Sequence, residues 1–195
     1  MADQRAGRPA VTSRAELEQV ALGLFAETGF EATTVDDIAA AAGVARRTFF
    51  RYYESKNDVV WGDFDAGLAA LRAGLAATSP GVGLLEALRR AILAFNALDP
   101  AVAQAHRERM RLILQVPALQ AHSTLRYAAW RAVIVEFAAA RLGARAEDLL
   151  PQLVAHSCLG AALTAYEQWL RVPGSNLATL LDTALRALGG AWTKA

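Results

Sequence analysis

A short segment near the amino terminus concentrates side chains that could bind nucleic acid. Arg46, Arg47 and Arg51 lie close together, and Lys56 follows soon after them. Phosphates dominate the affinity of proteins for DNA, and a guanidinium can also hold O6 and N7 of guanine with two hydrogen bonds. Thr48, among these cations, could bond a phosphate or touch a thymine methyl. The segment therefore indicates DNA binding, and the alternative is a solvated basic helix face with no ligand.

Two short helices joined by a tight turn are predicted to position these cations. Thr34 and Asp37 have the spacing of a capping box at the start of the first helix. Gly43 can end that helix because glycine adopts positive φ without a Cβ clash. Phe49 and Tyr53 form an i, i+4 pair that marks the buried face of the second helix. The arginines are left outside, as in a helix-turn-helix whose second helix enters the major groove.

Composition limits the classes of protein that the chain could be. Its 195 residues are 54% hydrophobic and 20% charged, enough to bury a substantial core. The net charge is only +1, so the basic segment is local, which favours a site-specific binder over a nonspecific nucleic-acid coat. Residues 1–12 are predicted to be a flexible basic arm. No apolar signal core or membrane-spanning stretch occurs, so a cytoplasmic protein without membrane contact is expected.

Patterns typical of enzymes and metal sites do not occur in the sequence. His106, His122 and His156 are scattered, and with Cys158 they form no HExxH or paired CxxC spacing. GxSxG, P-loop and dinucleotide fingerprints are also missing. No catalytic residue, metal or cofactor is therefore expected. As the single cysteine, Cys158 excludes an intrachain disulfide, and its apolar neighbours favour a buried thiol over a redox sensor.

Apolar periodicity predicts helices along the whole chain and no strand. Ser13 should cap a helix over 14–28, and one helix over 56–77 should link the DNA-binding segment to the remainder. Further predicted helices cover 84–98, a segment that starts at Asp99-Pro100, 119–142, 149–170, and a last segment capped by Ser175 or Asn176. The domains are predicted at 13–55, for a helix-turn-helix, and 56–195, for effector binding and dimerisation.

The segment LFAETGFEATTVDDIAAAAGVARRTFFRYYESK resembles the amino-terminal signature of TetR-type transcriptional regulators. The resemblance implies an all-α fold, with a three-helix DNA-binding domain followed by a helical ligand-binding and dimerisation domain. Phe50 stands where the family often has tyrosine, so one phosphate-bonding hydroxyl is missing. The resemblance implies that eight positions face DNA, and the helix pattern adds Arg51. The eight positions are Thr34, Ala45, Arg46, Arg47, Thr48, Phe50, Tyr52 and Lys56.

The phrase SKNDVVWGDFDAGL is similar to a TetR subgroup found with mycofactocin biosynthesis clusters, which implies a fatty acyl-CoA effector. Arg107, Arg109 and Arg111 form a basic cluster that, with Arg126 and Arg131, could bind the anionic head group of such an effector, or could be solvated. A pocket is expected among the middle helices, although aromatic side chains at helical spacing are more often core. The candidate lining residues are Phe95, Arg109, Met110, Leu114, Trp130, Phe137, Tyr166 and Trp169.

The resemblance also implies that the last two helices pair with a second copy in a four-helix bundle. The homodimer would read a near-palindromic operator. The alternative is that these stripes fill the core of one subunit. The candidate interface residues are Leu153, Ser157, Ala161, Leu177, Leu181 and Leu185. The function expected is sequence-specific transcriptional regulation, with repression released by a small molecule, and the alternative is a helical acyl-ligand carrier that does not bind DNA.

Overall fold

The computed structural model describes residues 13–97 and 99–190, so the arm predicted at 1–12 lies outside the described residues. Within the described ranges the chain forms α-helices, one short 3₁₀-helix at Pro100–Val102 and no strand, which confirms the all-α prediction. The helices are α1 (Arg14–Thr28), α2 (Val35–Ala42), α3 (Arg46–Tyr52), α4 (Lys56–Val59), α5 (Phe64–Ala76), α6 (Leu84–Phe95), α7 (Ala103–Gln115), α8 (Pro117–Leu142), α9 (Leu149–Arg171) and α10 (Leu177–Gly190).

Local sequence signals define the first three helices. At the start of α2, the backbone N–H of Asp37 donates to Thr34 Oγ1 at 3.1 Å, and Asp37 Oδ2 accepts from the Thr34 N–H at 2.8 Å. Ser13 and Glu16 form the same reciprocal pair at the start of α1. Gly43 ends α2 with φ of 69°, in the left-handed region. The predicted capping box and glycine turn are both confirmed, and together they set the angle at which α3 leaves α2.

The helix predicted over 56–77 is broken, which corrects the sequence interpretation. It consists of α4 and α5, separated by a turn over residues 60–63 in which Gly62 has φ of 52°. Val59, Val60 and Trp61 are consecutive and all buried. Successive residues of a helix point about 100° apart, so a surface helix cannot bury three neighbours in succession on one face. The break allows all three side chains to enter the core.

One hydrophobic core runs from the DNA-binding segment into the remainder of the chain. It includes Leu17 of α1, Phe49 of α3, Trp61 of the turn, Met110 of α7 and Tyr166 of α9. A second core lies between α5, α6, α8 and α9. Because the first core is continuous, the orientation of α1–α3 depends on how α7 and α9 pack.

One further boundary and one packing face differ from the sequence interpretation. Helix α6 ends at Phe95 rather than near residue 98, because Asn96 Nδ2 donates to the Ile92 carbonyl at 2.7 Å. The α10 residues predicted to form a dimer contact are buried inside the subunit: Leu177, Leu181 and Leu185 all belong to its two cores. The surface available to a second copy therefore lies elsewhere.

Candidate DNA interface and ligand pocket

Helix α3 presents a basic face to solvent. Phe49 is fully buried on its inner side, and Tyr53, which follows α3, is also buried. Arg46, Arg47 and Arg51 are exposed on the outer side. Phe50 is exposed beside them, while Thr48 and Tyr52 are half-buried at the edges of this face. The predicted inward and outward faces of the helix are thus confirmed.

The arginines of α3 differ in their partners. Arg46 forms an ion pair with Asp36 of α2 at 2.6 Å and lies over the Phe50 ring. Arg51 lies over the Tyr52 ring and donates to the Tyr52 hydroxyl at 3.0 Å. Within the described residues, Arg47 forms neither a hydrogen bond nor an ion pair. Since its guanidinium is exposed and uncommitted, Arg47 is the side chain of α3 best placed to read a base edge.

Of two other residues predicted to contact DNA, Thr34 has a role within the fold and Ala45 has no polar side-chain atom. Thr34 is exposed, but its hydroxyl caps α2 and bonds to Asp37 Oδ2 at 2.7 Å. Ala45 is exposed at the start of α3 and supplies no side-chain cap. Their contacts with DNA stay predictions. Both residues are exposed, so these contacts could form without a movement of α3.

Lys56 is held by the turn that connects α1 to α2. Its Nζ donates to the carbonyls of Phe30 at 2.8 Å, Thr33 at 2.9 Å and Glu31 at 3.4 Å, and it lies 4.5 Å from the centre of the Phe30 ring. An ammonium group has three donors, so all of them are engaged. The predicted phosphate contact would require Lys56 to leave these carbonyls.

Replacing Lys56 with methionine is therefore expected to affect folding more than DNA binding. Hydrogen bonds from charged donors contribute about 1.5–3 kcal/mol, so we expect the free energy of unfolding to fall by about that amount. Urea denaturation followed by circular dichroism measures the loss. The salt dependence of operator binding should be unchanged, and a salt slope reduced by about one would instead identify a phosphate contact.

A second candidate site is a partly open cavity of about 330 Å³. The turn before α5 and helices α5 to α9 all contribute residues to its wall. Five predicted residues line it: Phe95, Arg109, Met110, Trp130 and Tyr166. Further lining residues that the sequence interpretation missed are Val60, Trp61, Asp63, Phe64, Gly67, Asn96, His106, Ile113, Tyr127, Leu159, Ala162 and Leu163. The wall is mostly apolar, as expected for a site that holds a hydrophobic ligand.

Three residues predicted to line the pocket belong to the packed core instead. Leu114 is half-buried against the first core. Phe137 packs on the second core beneath the Arg141 guanidinium. Trp169 is buried and lies next to the His106 and Tyr166 rings. None of the three lines the cavity.

A short chain of hydrogen bonds crosses the cavity wall. The Tyr166 hydroxyl donates to Asn96 Oδ1 at 2.7 Å, and His106 Nε2 lies 3.1 Å from the same hydroxyl. Because that hydroxyl has one proton, His106 Nε2 must be the donor in the second bond. Burial, with a contribution from Arg109, lowers the pKa of His106 to about 4, so the imidazole is neutral at pH 7. His106 precedes Met110 by one helical turn, and this spacing is the sequence signal that could have placed His106 in the cavity wall.

Only one member of the predicted basic cluster reaches the cavity. Arg109 lines it and forms an ion pair with Glu18 of α1. Arg107 lies over the Trp169 ring, and Arg111 is exposed on α7. The other two members lie on α8, where Arg126 binds Asp58 and Asp65 and Arg131 borders a separate surface depression. The predicted basic cluster thus contributes a single guanidinium, that of Arg109, to the cavity wall.

A polar cluster connects α4 to α8. Asp58 is buried and accepts from Ser55 Oγ at 2.6 Å and from Arg126 Nη2 at 3.0 Å, and His122 Nε2 lies 3.0 Å from its carboxylate. Burial alone would raise the pKa of Asp58, but the hydrogen bonds from Ser55 and Arg126 outweigh it and lower the pKa below its usual value. The cluster holds the start of the interdomain connection on the long helix α8.

Other chemistry is not supported by the described parts of the chain. Residues 13–97 and 99–190 contain no cluster of His, Cys, Asp and Glu that could hold a metal ion. Cys158 is buried, as predicted, and burial raises the pKa of its thiol to about 12. In the same ranges, none of the helices combines the length and the apolar composition needed to cross a bilayer.

The chain matches family models over most of its length. Residues 19–60 match the model described as bacterial regulatory proteins, tetR family, and residues 82–193 match the MftR C-terminal domain. It is 48% identical over 187 residues to the putative mycofactocin biosynthesis transcriptional regulator MftR of Mycobacterium tuberculosis, covering 96% of this chain and 94% of that protein. The transcriptional regulator TcmR of Streptomyces glaucescens is 32% identical over 142 residues, covering 70% of this chain and 63% of that protein.

Solved structures show the same architecture. FadR of Thermus thermophilus, a TetR-family repressor crystallised with lauroyl-CoA, aligns with a TM-score of 0.58 at 26% identity, covering 90% of this chain and 93% of that one. SmeT, the repressor of a Stenotrophomonas maltophilia multidrug efflux pump, aligns with a TM-score of 0.64 at 19% identity, over 92% of this chain and 90% of that one. These relatives are described as transcriptional regulators and not as enzymes or carriers.

Proposed function

Because the chain belongs to the TetR family of bacterial transcriptional regulators, we propose that it is an operator-binding repressor released by an anionic ligand with a long apolar chain. The observation that carries the proposal is that the turn joining α4 to α5, which connects the DNA-binding helices to the rest of the chain, also forms part of the cavity wall. A ligand in the cavity would contact that connection directly. In this proposal residues 13–55 bind DNA and residues 56–195 bind the effector and dimerise, with the protein acting in the cytoplasm.

Contacts with DNA are assigned by exposure on α3. Arg47 and Thr48 are proposed to contact base edges, since Arg47 is uncommitted and Thr48 is its neighbour. Arg46, Arg51 and Tyr52 are proposed to contact phosphates, because their partners hold them at the edges of the face. Phosphate contacts fix the register of the helix on the duplex, and base contacts specify the sequence.

The effector is proposed to be a long-chain acyl-CoA. Two observations support this choice. The cavity wall is largely apolar apart from Arg109, the hydrogen-bonded trio and Asp63 at the rim, and the FadR relative was crystallised with lauroyl-CoA. The acyl chain would lie against the aromatic wall formed by Phe64, Phe95 and Trp130. The anionic part would lie towards Arg109.

The dimer is proposed to form through the outer face of α9. Leu149, Leu150 and Leu153 are exposed, and Ser157 and Ala161 continue the same stripe with half-buried small side chains. Exposed neighbouring leucines mark association surfaces, and small residues allow helices to approach closely. A two-fold axis at this face would present two copies of α3 to successive major grooves, about 34–36 Å apart.

Selection from a pool of random duplexes tests the proposed function. We expect one enriched near-palindromic sequence, and a gel shift with that duplex should be released by lauroyl-CoA but not by free CoA. Coupling free energies of about 1–3 kcal/mol are typical, so operator affinity should fall roughly 5- to 150-fold. A pool without an enriched motif would reject operator binding, and an operator complex indifferent to lauroyl-CoA would reject the effector.

A further inference from the structure

The turn between α4 and α5 is held from two sides by charged side chains. Arg14 Nη2 of α1 donates to the Gly62 carbonyl at 3.0 Å. On the other side, a Cβ placed on Gly62 would lie 2.7 Å from Glu18 Oε2 and 3.1 Å from Arg109 Nη1. Glycine is favoured here by the positive φ, and the Glu18–Arg109 ion pair packs directly on its Cα, so a Cβ would displace the ends of these side chains.

The Glu18–Arg109 ion pair joins the two functional parts of the chain. Glu18 lies on α1, which packs against α2 of the helix-turn-helix, and Arg109 lies on α7, which forms the cavity wall. The side chains of Glu18 and Arg109 are only 16% and 25% exposed, so solvent screens the pair less than a surface pair. Separating them would leave a partly buried arginine without its carboxylate, which is costly unless another anion replaces it.

Arg109 is also the cation that an anion in the cavity would meet. The other ionised lining residue is Asp63, which is 82% exposed at the rim and lies 3.9 Å from Arg14. The Arg109 Nε is buried and has no hydrogen-bond acceptor within the described residues. The guanidinium therefore keeps unused N–H donors while Glu18 accepts from Nη2, so an incoming oxyanion can begin to bind before Glu18 leaves.

We infer that the anionic group of the effector binds Arg109 in exchange for Glu18, and that this exchange is the step that releases the operator. The inference rests on the proposed function and specifies how its two sites communicate. Exchange of one carboxylate or phosphate for another keeps Arg109 paired while it frees Glu18 and α1 from α7. The Gly62 turn then loses the contact that packs on its Cα, and α1–α3 can rotate against the cavity. A ligand shifts an equilibrium only through different affinities for its two states, and the exchange supplies that difference.

Glu18→Gln tests the exchange, because it weakens the ion pair without changing the size of the side chain. The dissociation constant of lauroyl-CoA is measured from the fluorescence of Trp61 and Trp130, with and without saturating operator. The wild-type ratio should lie within about 5- to 150-fold. For E18Q we expect a ratio near one, tighter lauroyl-CoA binding without operator, and weaker operator binding without ligand. The matched control is Glu136→Gln, which weakens an exposed ion pair between α8 and Arg72 of α5 that does not line the cavity, and it should behave as wild type.

The double variant E18R/R109E separates the exchange from a general loss of stability. It restores an ion pair over Gly62, so operator binding should return towards the wild-type value. Its carboxylate at position 109 repels an anionic ligand, so release by lauroyl-CoA should be lost. Dodecanoate, in a parallel titration, distinguishes a carboxylate from the CoA phosphates as the anion bound by Arg109.

Each outcome decides between the two proposals. If E18Q retains the wild-type ratio and the wild-type affinity for lauroyl-CoA, the exchange is overturned while the proposed function stands. If E18Q unfolds in a thermal melt, the double variant gives the answer, since release of its operator complex by lauroyl-CoA would equally overturn the exchange. If the wild-type protein binds no operator or no lauroyl-CoA, the proposed function fails and the exchange fails with it.

Discussion

Substitution of Leu181 by glutamate is expected to unfold the subunit rather than to separate two subunits. Leu181 is 0% exposed and packs in the core shared by α1–α3, α7 and α9. The change removes about 1.5–3 kcal/mol of apolar burial and adds an unpaired carboxylate, whose burial costs several kcal/mol more. Domains are stable by only about 5–15 kcal/mol, so most of the stability should be lost. Circular dichroism should show a much lower melting temperature or no cooperative transition.

Leu153→Glu is the matched control, since the same change is made on the outer face of α9. Leu153 is 43% exposed, so its subunit should keep its helical content. Light scattering should show a monomer, and operator affinity should fall because one subunit reads only a half-site. If Leu181→Glu gives a folded monomer and Leu153→Glu remains a dimer, the interface lies on α10 and not on α9.

Signals that depend on a few neighbouring residues were predictable from the sequence. The Thr34–Asp37 capping box, the Gly43 turn and the buried Phe49–Tyr53 pair all formed as expected. Each depends on residues within about one helical turn, so distant parts of the chain have little influence. The position of the basic face on α3 follows directly from these three features.

Features set by distant contacts were not predictable in the same way. The break at Gly62 lets Val59, Val60 and Trp61 enter the core, and the side chains that contact it, Arg14, Glu18 and Arg109, approach it only in the folded chain. Helical periodicity between residues 56 and 77 gave no sign of it, because both halves are helical. Lys56 is a similar case, since a cation next to a recognition helix looks like a phosphate ligand until its carbonyl acceptors are known.

Periodicity identifies buried faces but not what they face. The leucine stripe of α10 was recognised as apolar, yet it fills the subunit core and not an interface. Phe137 is half-buried against the second core and Trp169 is buried, and neither lines the cavity. Apolar periodicity does not indicate the polar lining residues His106 and Asn96, although hydrogen-bonding groups in an apolar wall are what give a pocket its selectivity.

Arg47→Ala is expected to cost about 1–3 kcal/mol on the operator and to relax the preference at one base pair. The reason is that Arg47 is exposed on α3 and, among the described residues, makes no intramolecular bond that would hold its guanidinium back. Arg111→Ala is the matched control, because it removes the same charge from an exposed position on α7. Fluorescence anisotropy on the selected operator and on a scrambled duplex measures both variants. Arg111→Ala should leave both affinities nearly unchanged.

Arg47→Lys separates base recognition from charge. Lysine keeps the positive charge but lacks the planar fork that bonds guanine O6 and N7 together. We therefore expect Arg47→Lys to retain the wild-type salt dependence while losing discrimination at the same base pair as Arg47→Ala. Equal losses on operator and scrambled DNA for Arg47→Ala, with full discrimination in Arg47→Lys, would make Arg47 a phosphate contact. Base readout would then have to come from other residues of α3, with Thr48 as the next candidate.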